Sequence, residues 1–169
     1  MKTRFRQKSL VDCVQDLNRN IELNFKPYQG KEKFIFVSYA HVDIFESYII
    51  MKKINERNFN QWYDEGIPIS LDWRDIIATR IVDCFIFMPI LSNQYLASEN
   101  CKKEIKYMTR KNKNIIYPIY LEEVDFNKYE GGKGIEMYIS DKQALLKYKL
   151  DKNIFYEKLL SNLEELMNG

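Results

Sequence analysis

Hydrophobic residues along the chain follow two alternating patterns. Short unbroken apolar runs, such as residues 34–37 and 84–91, are typical of strands that are covered on both faces. The segments between such runs place apolar residues three or four positions apart, which predicts amphipathic helices. Alternation of the two patterns predicts an α/β fold in which helices cover both faces of a central parallel sheet.

These patterns also set the bounds of the predicted elements. Strands are expected at 34–37, 60–63, 84–91 and 115–121, and helices at about 44–57, 73–83, 99–110 and 153–167. Pro118 predicts an edge or bulge position in the fourth strand, because proline cannot donate a ladder hydrogen bond. Residues 122–150 are expected to be irregular, with a flexible loop at Gly131–Gly134.

The N-terminal segment is distinct from the rest of the chain. Apolar residues recur on one helical face from Leu10 to Ile21, and Pro27 then marks a boundary. We therefore predict a helical extension over residues 1–30 and one domain over residues 31–169. One interpretation is that the extension docks on that domain. The other is that its basic N-terminal residues bind a membrane surface or a partner. The acidic residues within the extension favour docking.

Charge and cysteine content exclude several classes of protein. The net charge is +2, and residues 1–30 hold six basic and three acidic side chains, so the other 139 residues sum to −1. A near-neutral body is not typical of nucleic-acid binding. No apolar run approaches the roughly 20 residues of a membrane span. Three cysteines at unrelated spacings favour a reducing compartment, and we expect a cytoplasmic protein without disulfides.

Common nucleotide and metal motifs are absent from the sequence. Ligands of parallel α/β sheets bind beyond the carboxyl ends of the strands. No glycine-rich phosphate motif follows the first strand, and the chain holds no P-loop sequence. Because His41 is the only histidine, neither a histidine metal site nor serine–histidine–aspartate catalysis is indicated, and no metal is expected.

One carboxylate lies beside a predicted buried face. On the helix at 99–110, Cys101, Ile105 and Met108 form an apolar stripe, which Glu104 flanks. Four cations are assigned to the solvent side of this helix: Lys102, Lys103, Lys106 and Arg110. Glu104 is therefore either a carboxylate at the edge of the core or a surface residue paired with a lysine, and spacing alone favours the second interpretation.

The order and spacing of several short motifs resemble a TIR (Toll/interleukin-1 receptor) domain of the bacterial type. The motifs are Phe36-Val37-Ser38-Tyr39-Ala40 followed by Asp43, Trp62-Tyr63-Asp64-Glu65-Gly66-Ile67, Trp73 with Ile77, and Leu91-Ser92, Tyr95, Ser98, Cys101 and Glu104-Ile105. The resemblance runs from about Lys33 to Leu121. It implies a flavodoxin-like fold, which agrees with the parallel sheet predicted from the apolar runs.

The resemblance also implies an activity. Many such domains cleave NAD+ between nicotinamide and ribose, as NAD+ glycohydrolases or ADP-ribosyl cyclases, so that NAD+ is the substrate and no cofactor is expected. Glu104 occupies the position of the family's catalytic glutamate. The residues implied at the substrate are Tyr39, Ala40, His41, Trp73, Asn100 and Cys101. The family's assembly loop, through which copies associate, corresponds to Gly66, Ile67 and Pro68.

Two positions depart from the family pattern, and the function has alternatives. Asn100 stands where the family often has an aromatic residue, and Ser70 stands where it usually has a glycine.

We expect an antiphage enzyme of the Thoeris type, whose cyclic product a separate effector senses. The alternatives are a non-catalytic TIR–TIR scaffold or virulence adaptor, and a nucleoside-modifying enzyme on a related sheet. Trp73 either stacks on a substrate ring or anchors its own helix in the core.

Overall fold

A parallel β-sheet lies at the centre of the computed structural model, which describes residues 23, 25–65, 71–111 and 115–169. The strands are β1 (Ile35–Tyr39), β2 (Gln61–Tyr63), β3 (Ile86–Leu91), β4 (Ile115–Ile116), β5 (Ile119–Tyr120) and β6 (Leu145–Leu146). Their order is β2-β1-β3-β5-β6, with β4 also paired to β3, and every pairing is parallel. Parallel neighbours require crossover connections, and helices supply them here.

Helices cover both faces of this sheet. They are α1 (Ile44–Asn55), α2 (Leu71–Asp83), α3 (Asn93–Ala97), α4 (Glu99–Lys111), α5 (Gly132–Ile139) and α6 (Lys152–Asn168). Ile35 and Val37 of β1 pack with α1 and α6, whereas Phe36 packs with α2, α4 and α5 on the opposite face. Successive side chains of a strand point to opposite faces. The predicted α/β architecture is therefore confirmed, and no described helix has the length and apolar character that a membrane crossing requires.

The predicted fourth strand is interrupted. It divides into β4 and β5 around Pro118, and both parts pair with β3. Of the edge or bulge position predicted for Pro118, the edge is wrong, because β6 lies beyond β5 and the Leu145 amide donates to the Pro118 carbonyl. The break between β4 and β5 is the kind of local disruption that the bulge alternative predicted. Proline interrupts the ladder on the side where its missing N–H would have donated.

Residues 122–150 hold more regular structure than the sequence predicted. The Gly131–Gly134 run is not a flexible loop, because α5 begins at Gly132 and includes Gly134. Gly131 has a φ of 76°, which is the left-handed region. A Cβ on Gly132 would lie 2.1 Å from the Phe126 carbonyl oxygen. Gly131 therefore allows the chain to turn sharply into α5, and Gly132 allows the helix to approach the Phe126 backbone closely. Ile135 and Ile139 then pack the helix into the core.

The predicted N-terminal helix over Leu10–Ile21 lies outside the described residues. Residues 25–28 run along the outer side of β2, where the Tyr28 amide donates to the Gln61 carbonyl at 2.8 Å. The Tyr63 hydroxyl donates to the Phe25 carbonyl at 2.7 Å. This stretch of the chain therefore covers the free edge of β2.

Two glycine substitutions should change stability in opposite directions. Gly131→Ala should lower the free energy of unfolding by about 1 kcal/mol, because a side chain at positive φ is strained. Gly134→Ala is the matched control: its Cβ would meet open space, and alanine stabilises a helix by up to about 1 kcal/mol over glycine. Urea unfolding measures both, and equal effects would contradict this account of α5.

Candidate functional site

The Glu104 carboxyl lies at the carboxyl end of β1, where it is only partly exposed. Ser98 caps the start of α4 by accepting a hydrogen bond from the Cys101 amide at 3.3 Å, which fixes where the helix begins. Packing of Cys101, Ile105 and Met108 into the core then turns Glu104 toward the sheet. The lysine-paired surface position favoured by spacing is not observed, since the carboxylate accepts a hydrogen bond from Ser38.

A chain of three side chains fixes the position of this carboxylate. The Ser38 hydroxyl donates to Glu104 Oε2 at 2.6 Å and lies 2.9 Å from the Tyr95 hydroxyl. A serine hydroxyl carries a single hydrogen. Since that hydrogen goes to Glu104, Tyr95 donates to Ser38. Tyr95 is completely buried, so the chain Tyr95–Ser38–Glu104 joins α3, β1 and α4 in a water-poor setting.

Burial changes the acidity of Glu104. Desolvation raises the pKa of Glu104 from its ordinary 4.5 to about 7. The hydrogen bond from Ser38 and the nearby His41 oppose this rise, whereas the charge of Asp64 adds to it. The Glu104 carboxyl therefore changes its charge near neutral pH, which is unusual for a glutamate and typical of functional sites.

Asp64 and His41 form the opposite side of the site. His41 Nε2 lies 3.7 Å from Asp64 Oδ2, and the interaction with this carboxylate raises the pKa of His41 despite partial burial. The Tyr39 hydroxyl donates to the Asp64 carbonyl at 2.9 Å, which ties the end of β1 to the end of β2. Burial raises the pKa of Tyr39 well above its usual range, so this hydroxyl keeps its proton.

Two adjoining cavities meet at Glu104. The smaller has a volume of about 140 Å³, and Ser38, Tyr39, His41 and Cys101 contribute to its walls. The larger has a volume of about 510 Å³ and lies between α2 and α4. Both cavities are lined by Asp64, Asn100 and Glu104. A single ligand that passes Glu104 can therefore occupy both.

The structure brings together most, but not all, of the residues that the sequence assigned to the substrate. Tyr39, His41, Asn100 and Cys101 line the smaller cavity. Ala40 lines neither cavity, because it is buried in the core beneath the site.

Trp73 also contributes to neither cavity. Its ring packs against Trp62 with the ring centroids 6.0 Å apart, which matches a core anchor for α2. The assembly-loop residues Gly66, Ile67 and Pro68 lie outside the described residues.

Ser38, Asp64 and Tyr95 belong to the motifs of the family resemblance, but the sequence analysis assigned none of them to the site. The available signal for Ser38 was a polar residue at the carboxyl end of a buried strand, on the same face as Phe36.

The assignment of Lys102 to the solvent side of its helix is wrong. Lys102 is 6% exposed, forms an ion pair with Glu99 at 2.5 Å and donates to the Glu130 carbonyl. Its amphipathic stem allows it to lie along the core while its charge remains paired.

Comparisons with known proteins agree with this architecture. The sequence profile described as TIR domain matches residues 35–146. No match is found among curated protein sequences. A solved structure of the activated Roq1 resistosome directly recognizing the pathogen effector XopQ (TIR domains) aligns with a TM-score of 0.61 at 14% identity, covering 78% of this chain and 99% of that one. At that identity the likeness shows a shared fold alone.

Among the described residues, no group of three histidine, cysteine, aspartate or glutamate side chains is placed to hold a metal ion.

Replacement of Glu104 by glutamine should stabilise the protein at alkaline pH. Because the folded-state pKa of Glu104 lies near 7 and the ordinary value is 4.5, the parent loses stability relative to the variant as pH rises through this window. Glutamine cannot ionise and still accepts from Ser38. We expect Glu104→Gln to be more stable than the parent by about 1 to 3 kcal/mol at pH 8, with little difference at pH 4.

Urea unfolding at both pH values measures this difference. Glu157→Gln, at an exposed position on α6, is the matched control for loss of one charge. A Glu104→Gln protein that is less stable than the parent at pH 8 would show that the ionised carboxylate is well solvated.

Proposed function

The chain belongs to the TIR domain family, and on that premise we propose that it cleaves NAD+ at the bond between nicotinamide and ribose. The products are nicotinamide and either ADP-ribose or a cyclic form of ADP-ribose. One observation carries the proposal: the Glu104 carboxyl is held by Ser38 at the junction of two cavities, in surroundings that strengthen its electrostatic effect.

The chemistry of this bond requires a fixed negative charge more than a proton donor. The nicotinamide ring of NAD+ is cationic and leaves as a neutral molecule, so the positive charge passes to the ribose as an oxocarbenium-like ion. A carboxylate beside the ribose stabilises that ion, as carboxylates do in glycoside cleavage. The interaction is strong because the charge is preorganised and poorly hydrated. Glu104 therefore acts in its ionised form.

The two cavities suit the two sides of the scissile bond. The smaller cavity, at about 140 Å³, is close to the roughly 150 Å³ cavity that accommodates benzene in another protein, so it has room for one ring. With nicotinamide there, the ribose would lie at the junction beside Glu104 and Asn100. Asp64 lines both cavities and adds a second negative group facing the cationic ring.

The product depends on what attacks the ribose cation. Attack by water gives ADP-ribose, whereas attack by a nitrogen of the same molecule's adenine, or by a hydroxyl, gives a cyclic product. The exposed Asn100 stands where related domains often have an aromatic residue, so an aromatic ring is not available there to hold a base. Mass analysis of the product separates the two routes, because the cyclic form is one water lighter.

The wider role that we propose is antiphage signalling in a bacterium by self-associating copies, with a separate effector that senses a cyclic product. The self-association part is proposed by analogy with the TIR domains of the activated Roq1 resistosome, whose fold this chain shares. The alternative is a scaffold without catalysis. Val42 and Phe45, which are 72% and 41% exposed beside the site, favour a role in contacts with other proteins.

Incubation of concentrated protein with NAD+ tests the activity. We expect free nicotinamide from the parent and a loss of at least about 100-fold in kcat for Glu104→Gln, the size of effect seen when one preorganised electrostatic group is removed. Glu157→Gln should retain the parent rate. Equal rates for Glu104→Gln and the parent would show that another residue carries the reaction. No turnover at any protein concentration would favour the scaffold.

The pH dependence of cleavage should follow the ionisation of Glu104. Since the ionised form is active and the pKa lies near 7, kcat/KM should rise with pH and level off above about pH 8. Ser38→Ala removes a hydrogen bond that lowers this pKa, so its profile should move to higher pH. Tyr95→Phe should move it in the same direction by less. Identical profiles in all three proteins would contradict the role of the hydrogen-bonded chain.

A further inference from the structure

We propose that the cavity between α2 and α4, here called the basic groove, binds the diphosphate and adenine half of the dinucleotide. The groove is the 510 Å³ cavity lined by Arg74, Ile77, Ala78, Lys103, Lys106, Tyr107 and Arg110. The identity of the ligand rests on the proposed function, whereas the preference for a diphosphate rests on the groove itself.

Four cations surround the basic groove. Arg74 comes from α2, and Lys103, Lys106 and Arg110 come from α4 at spacings of three and four, which places them along one face of that helix. Within the part of the chain that the structure describes, none of the four forms an ion pair. Other lysines nearby do, as Lys102 does with Glu99. Cations without carboxylate partners around a concave surface attract anions.

One wall of the basic groove suits a planar ring. Ile77 and Ala78 on α2 are apolar and partly buried, and the ring of Tyr107 faces the same cavity from α4. Ligand cavities commonly combine such apolar walls with a few charged groups, and they measure about 300 to 1,000 Å³. A purine base can stack on Tyr107 while its phosphates contact the cations.

The charges are arranged along the length of the combined site. Asp64 and Glu104 line both cavities, whereas none of the four cations lines the smaller one. NAD+ has the matching polarity, with a cationic nicotinamide at one end and two negative charges on the diphosphate. Complementary charge fixes the direction in which a ligand binds. The bond to be cleaved is thereby placed beside Glu104.

Calorimetric titration with ADP tests the basic groove without any turnover. We expect Lys103→Met with Arg110→Met to weaken ADP binding at least about tenfold, because contacts between cations and phosphate are strong. Both residues are exposed, so the fold should tolerate the change. Lys52→Met with Lys158→Met, at exposed positions on α1 and α6, removes the same charge elsewhere and should leave binding within twofold.

Kinetics with two substrates tests the same point during turnover. The Lys103→Met, Arg110→Met protein should show a KM for NAD+ raised about tenfold with kcat little changed. Nicotinamide riboside has the scissile bond but no phosphate, so its kcat/KM should be the same in the variant and the parent. A fall in kcat for both substrates would indicate damage to the site at Glu104 and would overturn the assignment.

The possible results separate this inference from the proposed cleavage. Normal cleavage of NAD+ with unchanged KM and ADP affinity in the double variant would overturn the basic groove and leave the activity intact. ADP binding that the double variant loses, without any cleavage by the parent, would support the groove and remove the activity. Failure of the parent to bind ADP at millimolar concentration would also overturn the groove.

Discussion

The hydrogen bond between Ser38 and Glu104 is the contact on which the candidate site depends. It joins residues that are 66 positions apart, one on β1 and the other on α4. Each partner is fixed from behind, since β1 pairs with both β2 and β3, and α4 packs its apolar stripe into the core. Neither group can move without disturbing the sheet or the helix. The carboxylate is therefore placed by the fold rather than by a loop.

The same physical property of this placement costs stability and would favour the proposed chemistry. A carboxyl that is shielded from water resists ionisation, so its ionised form lowers the free energy of unfolding when the pH is neutral or higher. Once ionised, the same group acts on a passing cation with little competition from solvent. The buried Tyr95 moderates the cost through its donation to Ser38, because it improves the donor that faces the charge. Enzyme sites commonly keep such a balance between stability and function.

The sequence contained enough to predict the layers of this fold but not all of its parts. The uninterrupted apolar runs of β1 and β3 indicated a covered parallel sheet, and Ser98 indicated where α4 begins. Helix α5 was not predicted, because Gly131, Gly132 and Gly134 weaken the helical pattern of the sequence there. Glu104 was assigned to the site by the family resemblance, whereas spacing favoured a position on the surface. Its pairing with Ser38 is a contact between distant segments, which local patterns cannot specify.

The two borders of the sheet have a consequence for how copies of this chain can associate. Along β2, residues 25–28 lie over the border strand: the Tyr28 amide occupies the Gln61 carbonyl, and the Tyr63 side chain holds the Phe25 carbonyl. At the other border β6 is only two residues long. Short or covered border strands prevent sheets from joining edge to edge. In the part of the chain that the structure describes, both borders of the sheet are thus poorly suited to strand addition. An assembly would form through side chains on helices and loops, and its geometry could evolve without altering the central fold.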